Sequence, residues 1–494
     1  MNIKEAKEQI KHAVTAYLTR DALGQYVIPP QKQRPIFLMG PPGIGKTAIM
    51  EQIASELGLG LLSYSMTHHT RQSALGLPVI KHVEFDGREY DISEYTMSEI
   101  IASVYELMRD TGVQNGILFL DEINCVSETL TPVMLQFLQY KTFGRHQVPP
   151  GWIVVTAGNP PEYNRSVREF DIATWDRLKR VDVEPDFTVW KEFAYASGVH
   201  LAVMTYLEIK QHNFYKVETT VDGKSFVTAR GWDDLAQMIS LYEQHGIPVT
   251  VELIGQYLQN REIASDFALY YDLYNKYRSD YQVESILAGT PSEEIKARAH
   301  AAKFDERYSL IGLLLEQVMG SIDTCMAEDE MLTELMAVLR EFKAQSAAAP
   351  GQSADFLNNL KNQVEKRLAK GKESHSLSDA KQSQLLQVVQ ILMQGITQGG
   401  QFEQVKADFD RRVKEHYTNV KAASDQVSYM FRFCDEVFPN GQELIILVTE
   451  LTTNPHTAQF LAKYRVEEYF IHDKALMFSQ RQKEIRTQIE ELKL

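Results

Sequence analysis

Residues 36–47 read IFLMGPPGIGKT, and this stretch decides the fold of the chain. Its first four residues are apolar and predict a buried strand, while helical periodicity begins near Ala48. The glycines allow a tight turn whose N–H groups point inward, and the following helix adds partial positive charge at its N-terminus. This order of strand, glycine-rich loop and helix predicts binding of a nucleoside triphosphate. The residues expected to contact the nucleotide are Gly40, Pro41, Pro42, Gly43, Ile44, Gly45, Lys46, Thr47 and Ala48.

Two residues of this loop and two acids further along have distinct expected roles. Lys46 would reach the β- and γ-phosphates, and the Thr47 hydroxyl would hold Mg²⁺. A second apolar strand, residues 116–120, ends in Asp121 and Glu122. Ligands of open α/β sheets lie at the carboxyl ends of strands, so Asp121 is expected to bind Mg²⁺ and Glu122 to polarise the attacking water. Two acids at an ordinary strand end are the alternative interpretation.

A third apolar strand, residues 152–158, is followed by Asn159 and two prolines. The side-chain amide of Asn159 would contact the γ-phosphate or orient water at the same edge of the sheet. An asparagine before prolines is also an ordinary turn residue, so both interpretations stay open.

The composition is typical of a globular protein. The 494 residues suggest roughly three domains, and 44% are apolar and 24% charged. Cys125, Cys325 and Cys434 are too few and too widely spaced for a disulfide framework, which favours a reducing compartment. The N-terminal residues lack the apolar core of a signal peptide, and no run of about 18 apolar residues predicts a membrane span. We therefore expect a cytoplasmic protein.

The formal charge of −15 is unevenly distributed along the chain. Residues 351–494 carry 19 basic and 19 acidic side chains, so the whole excess lies in residues 1–350. An acidic surface repels the nucleic-acid backbone, whose binding depends on Lys and Arg contacts. The charge therefore disfavours a nucleic-acid partner.

Strand and helix patterns alternate up to about residue 200, and helical periodicity dominates afterwards, which predicts an α/β sheet followed by helices. Alternating residues on either side of Asp86-Gly87 predict a β-hairpin. A helix is predicted from Thr96 to Asp110, with Thr96 and Glu99 as a capping box. His68 and His69 have no metal-ligand spacing.

Two stretches predict breaks in the helical part. Residues 344–355 are small, polar and contain proline and glycine, as in a linker. Residues 394–401 contain three glycines and predict a second, shorter break. Residues after 351 carry no catalytic motif.

The order of the phosphate loop, the acidic strand end and the Asn-tipped strand resembles the AAA+ ATPases. The resemblance covers about residues 1–280 and is to the MoxR-like branch, which carries an insert where the Asp86-Gly87 hairpin lies. In that family Asp121 and Glu122 match the Walker B acids and Asn159 the sensor-1 residue. The implied fold is a P-loop parallel α/β core with a β-hairpin insert, followed by a helical lid and a mainly helical C-terminal region. The implied domains are residues 1–210, 211–345 and 346–494.

The resemblance also implies two arginines of the site. Asp176-Arg177-Leu178 resembles the Asp-Arg-Phe element of the MoxR-like branch, which makes Arg177 the expected arginine finger, acting on the neighbouring subunit's γ-phosphate. Arg230, in Val227–Trp232, resembles the sensor-2 arginine that contacts the γ-phosphate in its own subunit, although the usual proline is absent. Nearby competitors for the finger are Arg165, Arg168 and Arg180, and a plain surface arginine is the alternative for both positions.

The implied activity is Mg²⁺-dependent ATP hydrolysis in a homo-oligomeric ring, a hexamer in related ATPases. MoxR-like proteins act as chaperone-like remodellers of protein clients and often work with a separate protein bearing a von Willebrand factor A domain. Two alternatives stay open. One is a nucleic-acid-associated AAA+ motor, and the other is a nucleotide-gated scaffold with low turnover.

Overall fold

The structure is a computed structural model that describes residues 1–164, 166–220, 223–348, 352–373, 377–439 and 441–475. The chain divides into two compact units. The first comprises Met1–Val189 and Asn362–Leu386, and the second comprises Trp190–Lys361 and Gln387–Leu494. Domain boundaries at residues 210/211 and 345/346 stay a prediction.

The first unit alternates strands and helices. Its strands are β1 (Ile36–Met39), β2 (Gly60–Ser65), β3 (Pro78–Phe85), β4 (Arg88–Tyr95), β5 (Gly116–Asp121), β6 (Thr142–Phe143), β7 (His146–Gln147), β8 (Trp152–Gly158) and β9 (Lys179–Asp182). Its helices include α1 (Ile3–Leu18), α2 (Lys46–Leu57), α3 (Arg71–Leu75), α4 (Glu99–Thr111), α5 (Thr131–Tyr140) and α6 (Ile172–Trp175).

Within the described residues, five of these strands form one parallel sheet in the order β2-β5-β8-β1-β9. Strands β1, β5 and β8 are buried along almost their whole length. Burial on both faces explains why their sequences are continuous apolar runs rather than alternating patterns. The predicted α/β class with a parallel sheet is confirmed.

The register places the predicted polar residues at one edge of this sheet. Met39 at the end of β1 pairs with Gly158 at the end of β8, and Ser65 at the end of β2 pairs with Asp121 at the end of β5. Since parallel strands end at the same edge, the segments after β1, β5 and β8 leave the sheet side by side.

The predicted β-hairpin is confirmed. Strands β3 and β4 pair from Pro78↔Tyr95 to Phe85↔Arg88, which leaves Asp86 and Gly87 as a two-residue turn. Both turn residues have positive φ, 48° and 73°, as this tight hairpin turn requires.

The helix after the hairpin begins later than predicted. Ser98 is the N-cap of α4, and its hydroxyl accepts a hydrogen bond from the Ile101 N–H. The Thr96 hydroxyl instead accepts a hydrogen bond from the Leu77 N–H at the base of the hairpin. The predicted cap at Thr96 is wrong because its side chain closes the hairpin.

The second unit is mainly helical. A small hairpin, β10 (Lys216–Thr220) and β11 (Gly223–Val227), precedes most of its helices. The remaining helices, some of which cross between the units, are α7 (Phe187–Ala196), α8 (Leu201–Ile209), α9 (Ala229–Gln244), α10 (Val251–Tyr257), α11 (Arg261–Tyr281), α12 (Val283–Leu287), α13 (Glu293–Ala301), α14 (Phe304–Ala348), α15 (Ser353–Glu373), α16 (Asp379–Thr397), α17 (Phe402–Val437), α18 (Gln442–Thr453) and α19 (Pro455–Tyr464).

The two predicted breaks have different outcomes. Between α16 and α17 the chain turns through Gly399 and Gly400, both with positive φ. The break predicted at 394–401 is therefore confirmed over residues 398–401, whereas residues 394–397 still belong to α16. The linker predicted at 344–355 is wrong at both ends, because α14 extends to Ala348 and α15 begins at Ser353. Alanine is the strongest helix former, which explains the extension. Residues 349–351 lie outside the described residues.

One helix in the described residues, Phe304–Ser346 within α14, is long and apolar enough to cross a membrane by length and composition. Its most apolar window has a mean hydropathy of 1.3, and 61% of that window is buried inside the protein. The buried core helix of a globular protein meets the same two criteria.

Candidate nucleotide-binding site

The phosphate loop connects β1 to α2 through glycines that no other residue replaces easily. Gly43 and Gly45 have φ of 73° and 89°, in the left-handed region that favours glycine. A Cβ on Gly40 would lie 2.8 Å from the Val183 carbonyl oxygen. In the loop, Gly40, Pro41, Ile44 and Lys46 are buried, whereas Pro42, Gly43, Gly45, Thr47 and Ala48 are partly exposed. The backbone therefore has the turn that the sequence predicts.

Lys46 lies at the centre of this loop. Its ammonium donates hydrogen bonds to the carbonyl oxygens of Gly40 and Pro41, both at 2.8 Å, and to Asn159 Oδ1 at 2.9 Å. These three acceptors satisfy the hydrogen-bonding needs of the buried ammonium. The structure thus brings Lys46 and Asn159 together within the glycine loop.

Thr47 and Asp121 meet next to this lysine. The Thr47 hydroxyl donates a hydrogen bond to Asp121 Oδ2 at 3.3 Å, and the other carboxylate oxygen accepts one from the Glu122 N–H at 2.8 Å. A hydroxyl and a carboxylate are the oxygen ligands that Mg²⁺ prefers. Among the described residues, no group of three or more His, Cys, Asp or Glu side chains could hold a metal ion. Mg²⁺ commonly takes few protein ligands and completes its shell with phosphate oxygens and water, so the pair fits that ion.

Glu122 has an unusual backbone and two hydroxyl partners. Its φ of 55° and ψ of 33° are left-handed, a conformation that a non-glycine residue adopts only when its surroundings require it. Its Oε2 accepts hydrogen bonds from Ser65 Oγ at 3.2 Å and Thr67 Oγ1 at 3.1 Å. Sequence reasoning missed both hydroxyls. The pairing of β2 with β5 would have indicated them, because it places Ser65 opposite Asp121.

Asn124 is a third residue that sequence reasoning missed. Its side chain is buried, and its Nδ2 donates a hydrogen bond to the Asn159 carbonyl oxygen at 2.9 Å. A Cβ on Gly158 would lie only 2.5 Å from Asn124 Oδ1, so the two segments are in close contact. Asn124 therefore fixes the backbone that carries the Asn159 side chain to Lys46.

Comparison with known proteins agrees with this geometry. The family model described as AAA domain (dynein-related subfamily) matches residues 35–178. This segment is an AAA+ ATPase domain. Its matched range runs from the residue before β1 to the residue before β9, and it contains every residue of the site so far described.

Comparisons with solved structures and with curated proteins give little further evidence about the family. A solved structure of a RuvB mutant from Thermotoga maritima is 17% identical, with a TM-score of 0.24. The alignment covers 40% of this chain and 53% of that chain, so this chain spans about half the length of the structure that it matches. The TM-score is too low to support an argument from that protein. Comparison with curated proteins finds no match.

The AAA+ domain ends near the predicted arginine finger. Arg177 follows α6 and is exposed, and its guanidinium makes no hydrogen bond or ion pair with any residue in the described ranges. Two of the competing arginines form ion pairs: Arg168 with Glu128 at 2.7 Å and Arg180 with Asp182 at 2.8 Å. Arg165 lies outside the described residues.

Arg230 lies outside the AAA+ domain match, in the second unit. It is exposed and is the second residue of α9, whose N-cap Thr228 accepts a hydrogen bond from the Gly231 N–H at 3.2 Å. A cationic side chain in the first turn of a helix is disfavoured by the helix dipole.

Cys125, close to the acidic pair, has no activating base among its neighbours in the described ranges. Burial, with smaller contributions from Glu122 and Asp121, raises the pKa of its thiol above the ordinary value. Asn164 Nδ2 donates a hydrogen bond to the sulfur at 3.3 Å. The thiol therefore stays protonated and is unsuited to nucleophilic chemistry.

The role of Asn124 in the AAA+ domain leads to a prediction. Asn124→Asp keeps the shape of the side chain but removes the N–H that holds the Asn159 carbonyl. We expect kcat for ATP hydrolysis to fall at least about tenfold while KM stays nearly constant, because a buried hydrogen bond is lost and the new carboxylate faces the Asn159 carbonyl oxygen. Steady-state kinetics measure both constants.

The matched control is Asn164→Asp, which removes a neighbouring amide donor that contacts Cys125 rather than Asn159. It should leave kcat close to that of the wild type. Equal losses in the two variants would show that Asn124 has no positioning role.

Proposed function

We propose that this chain is a Mg²⁺-dependent ATPase of the MoxR-like branch, active as a homo-oligomeric ring of six subunits that remodels a protein client. The observation that carries the proposal is the convergence of Lys46, Thr47, Asp121, Glu122 and Asn159 at one edge of the sheet. Each has the chemical character that phosphoryl transfer to water requires.

The roles follow from the contacts. The glycine loop and Lys46 would hold the triphosphate, and Asn159 would lie beside the γ-phosphate because its amide oxygen contacts the Lys46 ammonium. Thr47 and Asp121 would hold Mg²⁺, which neutralises negative charge on the phosphates when bound. Glu122 would orient the attacking water, with its carboxylate fixed by Ser65 and Thr67.

Two arginines would complete the site under this proposal. Arg177 would reach the γ-phosphate of the neighbouring subunit, which its exposure and lack of an ion pair within the described residues support. Arg230 would contact the γ-phosphate in its own subunit and link nucleotide state to movement of the helical lid. Residues 1–210 would then form the core, 211–345 the lid and its extension, and 346–494 a C-terminal helical domain.

The client-facing element would be the hairpin of β3 and β4. Apolar side chains on it are exposed to solvent: Ile80 by 69%, Val79 by 48% and Tyr90 by 47%. Exposed apolar groups on a projecting hairpin support contact with a protein rather than with nucleic acid. A separate protein with a von Willebrand factor A domain would be the working partner, in the cytoplasm.

The test combines turnover with capture. The purified protein should hydrolyse ATP with Mg²⁺ and stop when EDTA is added, and neither DNA nor RNA should stimulate it. A tagged Glu122→Gln variant loaded with ATP should capture a protein with a von Willebrand factor A domain from the native host. Stimulation by nucleic acid, or capture of nucleic acid alone, would contradict the remodelling function.

A further inference from the structure

A cavity of about 430 Å³ lies within the second unit, outside the AAA+ domain. Four helices form its walls: Lys191 comes from α7, Glu208 from α8, Phe304 and Tyr308 from α14, and Ile445 and Glu450 from α18. The volume is within the range of about 300–1,000 Å³ that is usual for small-molecule sites.

A buried charge cluster forms the floor of the cavity. Only 10% of the Lys191 side chain and 7% of the Glu450 side chain are exposed. The Lys191 ammonium donates hydrogen bonds to Glu208 Oε1 and Glu450 Oε1, and the Tyr195 hydroxyl donates to Glu450 Oε2. Lys191 and Tyr195 are four residues apart on α7, so both lie on one face of that helix and reach the same carboxylate.

The cluster holds one more negative charge than positive charge. Lys191 supplies one cation, whereas Glu208 and Glu450 supply two carboxylates. Burial, followed by the charges of Glu208 and Glu450, raises the pKa of Tyr308 well above its usual value, so this phenol stays neutral. Both oxygens of Glu450 are engaged, but Glu208 Oε2 accepts no hydrogen bond from the described part of the chain. One carboxylate oxygen thus keeps its full acceptor capacity.

Helix ends increase the negative potential near this carboxylate. Glu208 is in the last turn of α8 and Glu450 is in the last turn of α18, where the backbone carbonyl groups carry partial negative charge. The N-terminus of α14 at Phe304 has the opposite sign, but Asp305 and Glu306 occupy its first turn. Carboxylates at two helix C-termini are electrostatically unfavourable for the fold alone, and a cationic ligand would relieve that cost.

The mouth of the cavity is apolar. Phe304 is 53% exposed and Ile445 is 47% exposed, although both are large hydrophobic residues. The rings of Phe304 and Tyr308 lie 6.0 Å apart between their centroids. Aromatic faces attract cations, and apolar walls bind the hydrocarbon body of a ligand.

We propose that this cavity binds a small organic cation, a primary ammonium group on an aromatic body, with the ammonium on Glu208 and the aromatic body against Phe304, Tyr308 and Ile445. An anionic ligand could use only the remaining N–H of Lys191 and would face two carboxylates. A neutral ligand would leave the excess charge uncompensated. The site does not depend on ATP hydrolysis, so its failure and that of the proposed ATPase are separate results.

The test is calorimetric titration of the full-length protein with three probes of nearly equal shape. These are phenethylammonium, phenethyl alcohol and phenylacetate. We expect saturable binding of phenethylammonium, with affinity about ten- to hundredfold above that of the alcohol, as one charge-assisted hydrogen bond contributes. Phenylacetate should bind more weakly than either.

Three variants test whether phenethylammonium binds in this cavity. Glu208→Gln should weaken phenethylammonium binding about ten- to hundredfold, while Thr449→Trp should fill the cavity and leave the charged residues of the buried cluster unsubstituted. Glu293→Gln removes one carboxylate that is 87% exposed elsewhere in the second unit and should have no effect. The proposal is overturned if phenethylammonium does not saturate, if the three probes bind equally, or if Thr449→Trp and Glu208→Gln both bind it as the wild type does.

Discussion

Glu122→Gln should lower ATP turnover by about 10²- to 10⁴-fold while ATP still binds. The amide has nearly the shape of the carboxylate and keeps an oxygen for the Ser65 and Thr67 hydroxyls, but it cannot polarise water as a base does. Phosphate release measures turnover, and equilibrium titration with ATP measures binding. Lys46, Thr47 and Asp121 are untouched, so the dissociation constant for ATP should stay close to that of the wild type.

Glu128→Gln is the matched control for this change. Glu128 lies six residues further along, is 80% exposed and pairs with Arg168 rather than with the site. Its loss should leave turnover unchanged. A Glu122→Gln variant that hydrolyses ATP at nearly the wild-type rate would show that another group orients the water. It would also favour a different assignment of the acids after β5.

Arg177→Ala should lower turnover by about 10³-fold, the least that an arginine finger contributes in related phosphoryl transfer. The guanidinium makes no ion pair within the described residues, so its removal should not disturb the fold of its own subunit. ATP affinity should change little because the finger acts on charge that develops in the transition state. Rates at saturating ATP and thermal unfolding measure the two effects.

Arg168→Ala and Arg180→Ala are the controls, since each removes an arginine that an acid of the same subunit already holds. Both should keep most of the wild-type turnover. If Arg180→Ala or Arg168→Ala loses activity and Arg177→Ala does not, the finger is misassigned.

The sequence predicts those parts of the site that depend only on residues close together in the chain. Residues 36–47 specify a strand, a turn through left-handed glycines and a helix without reference to the rest of the chain. The hairpin was equally predictable, because Asp86-Gly87 supplies the two positive φ values that its turn needs. Asp121 and Glu122 were predicted in the same way, because they directly follow an apolar strand.

The parts that sequence missed depend on contacts between distant segments. Ser65 and Thr67 become partners of Glu122 only because β2 lies beside β5 in one particular register. Asn124 acquires its role from the approach of Gly158, which is 34 residues away in the sequence. Thr96 illustrates the same limit, since its hydroxyl serves the hairpin base and not the helix that it precedes.

The central claim, an ATP site that two subunits share, is tested most directly by mixing two inactive variants. Glu122→Gln retains Arg177, and Arg177→Ala retains Glu122, so a mixed ring contains interfaces with both groups intact. The two proteins should be co-assembled by refolding together, with subunit exchange verified by two different tags, and ATP turnover measured. We expect the mixture to hydrolyse ATP far faster than either variant alone. A mixed assembly as inactive as its components would contradict a site completed by the neighbouring subunit.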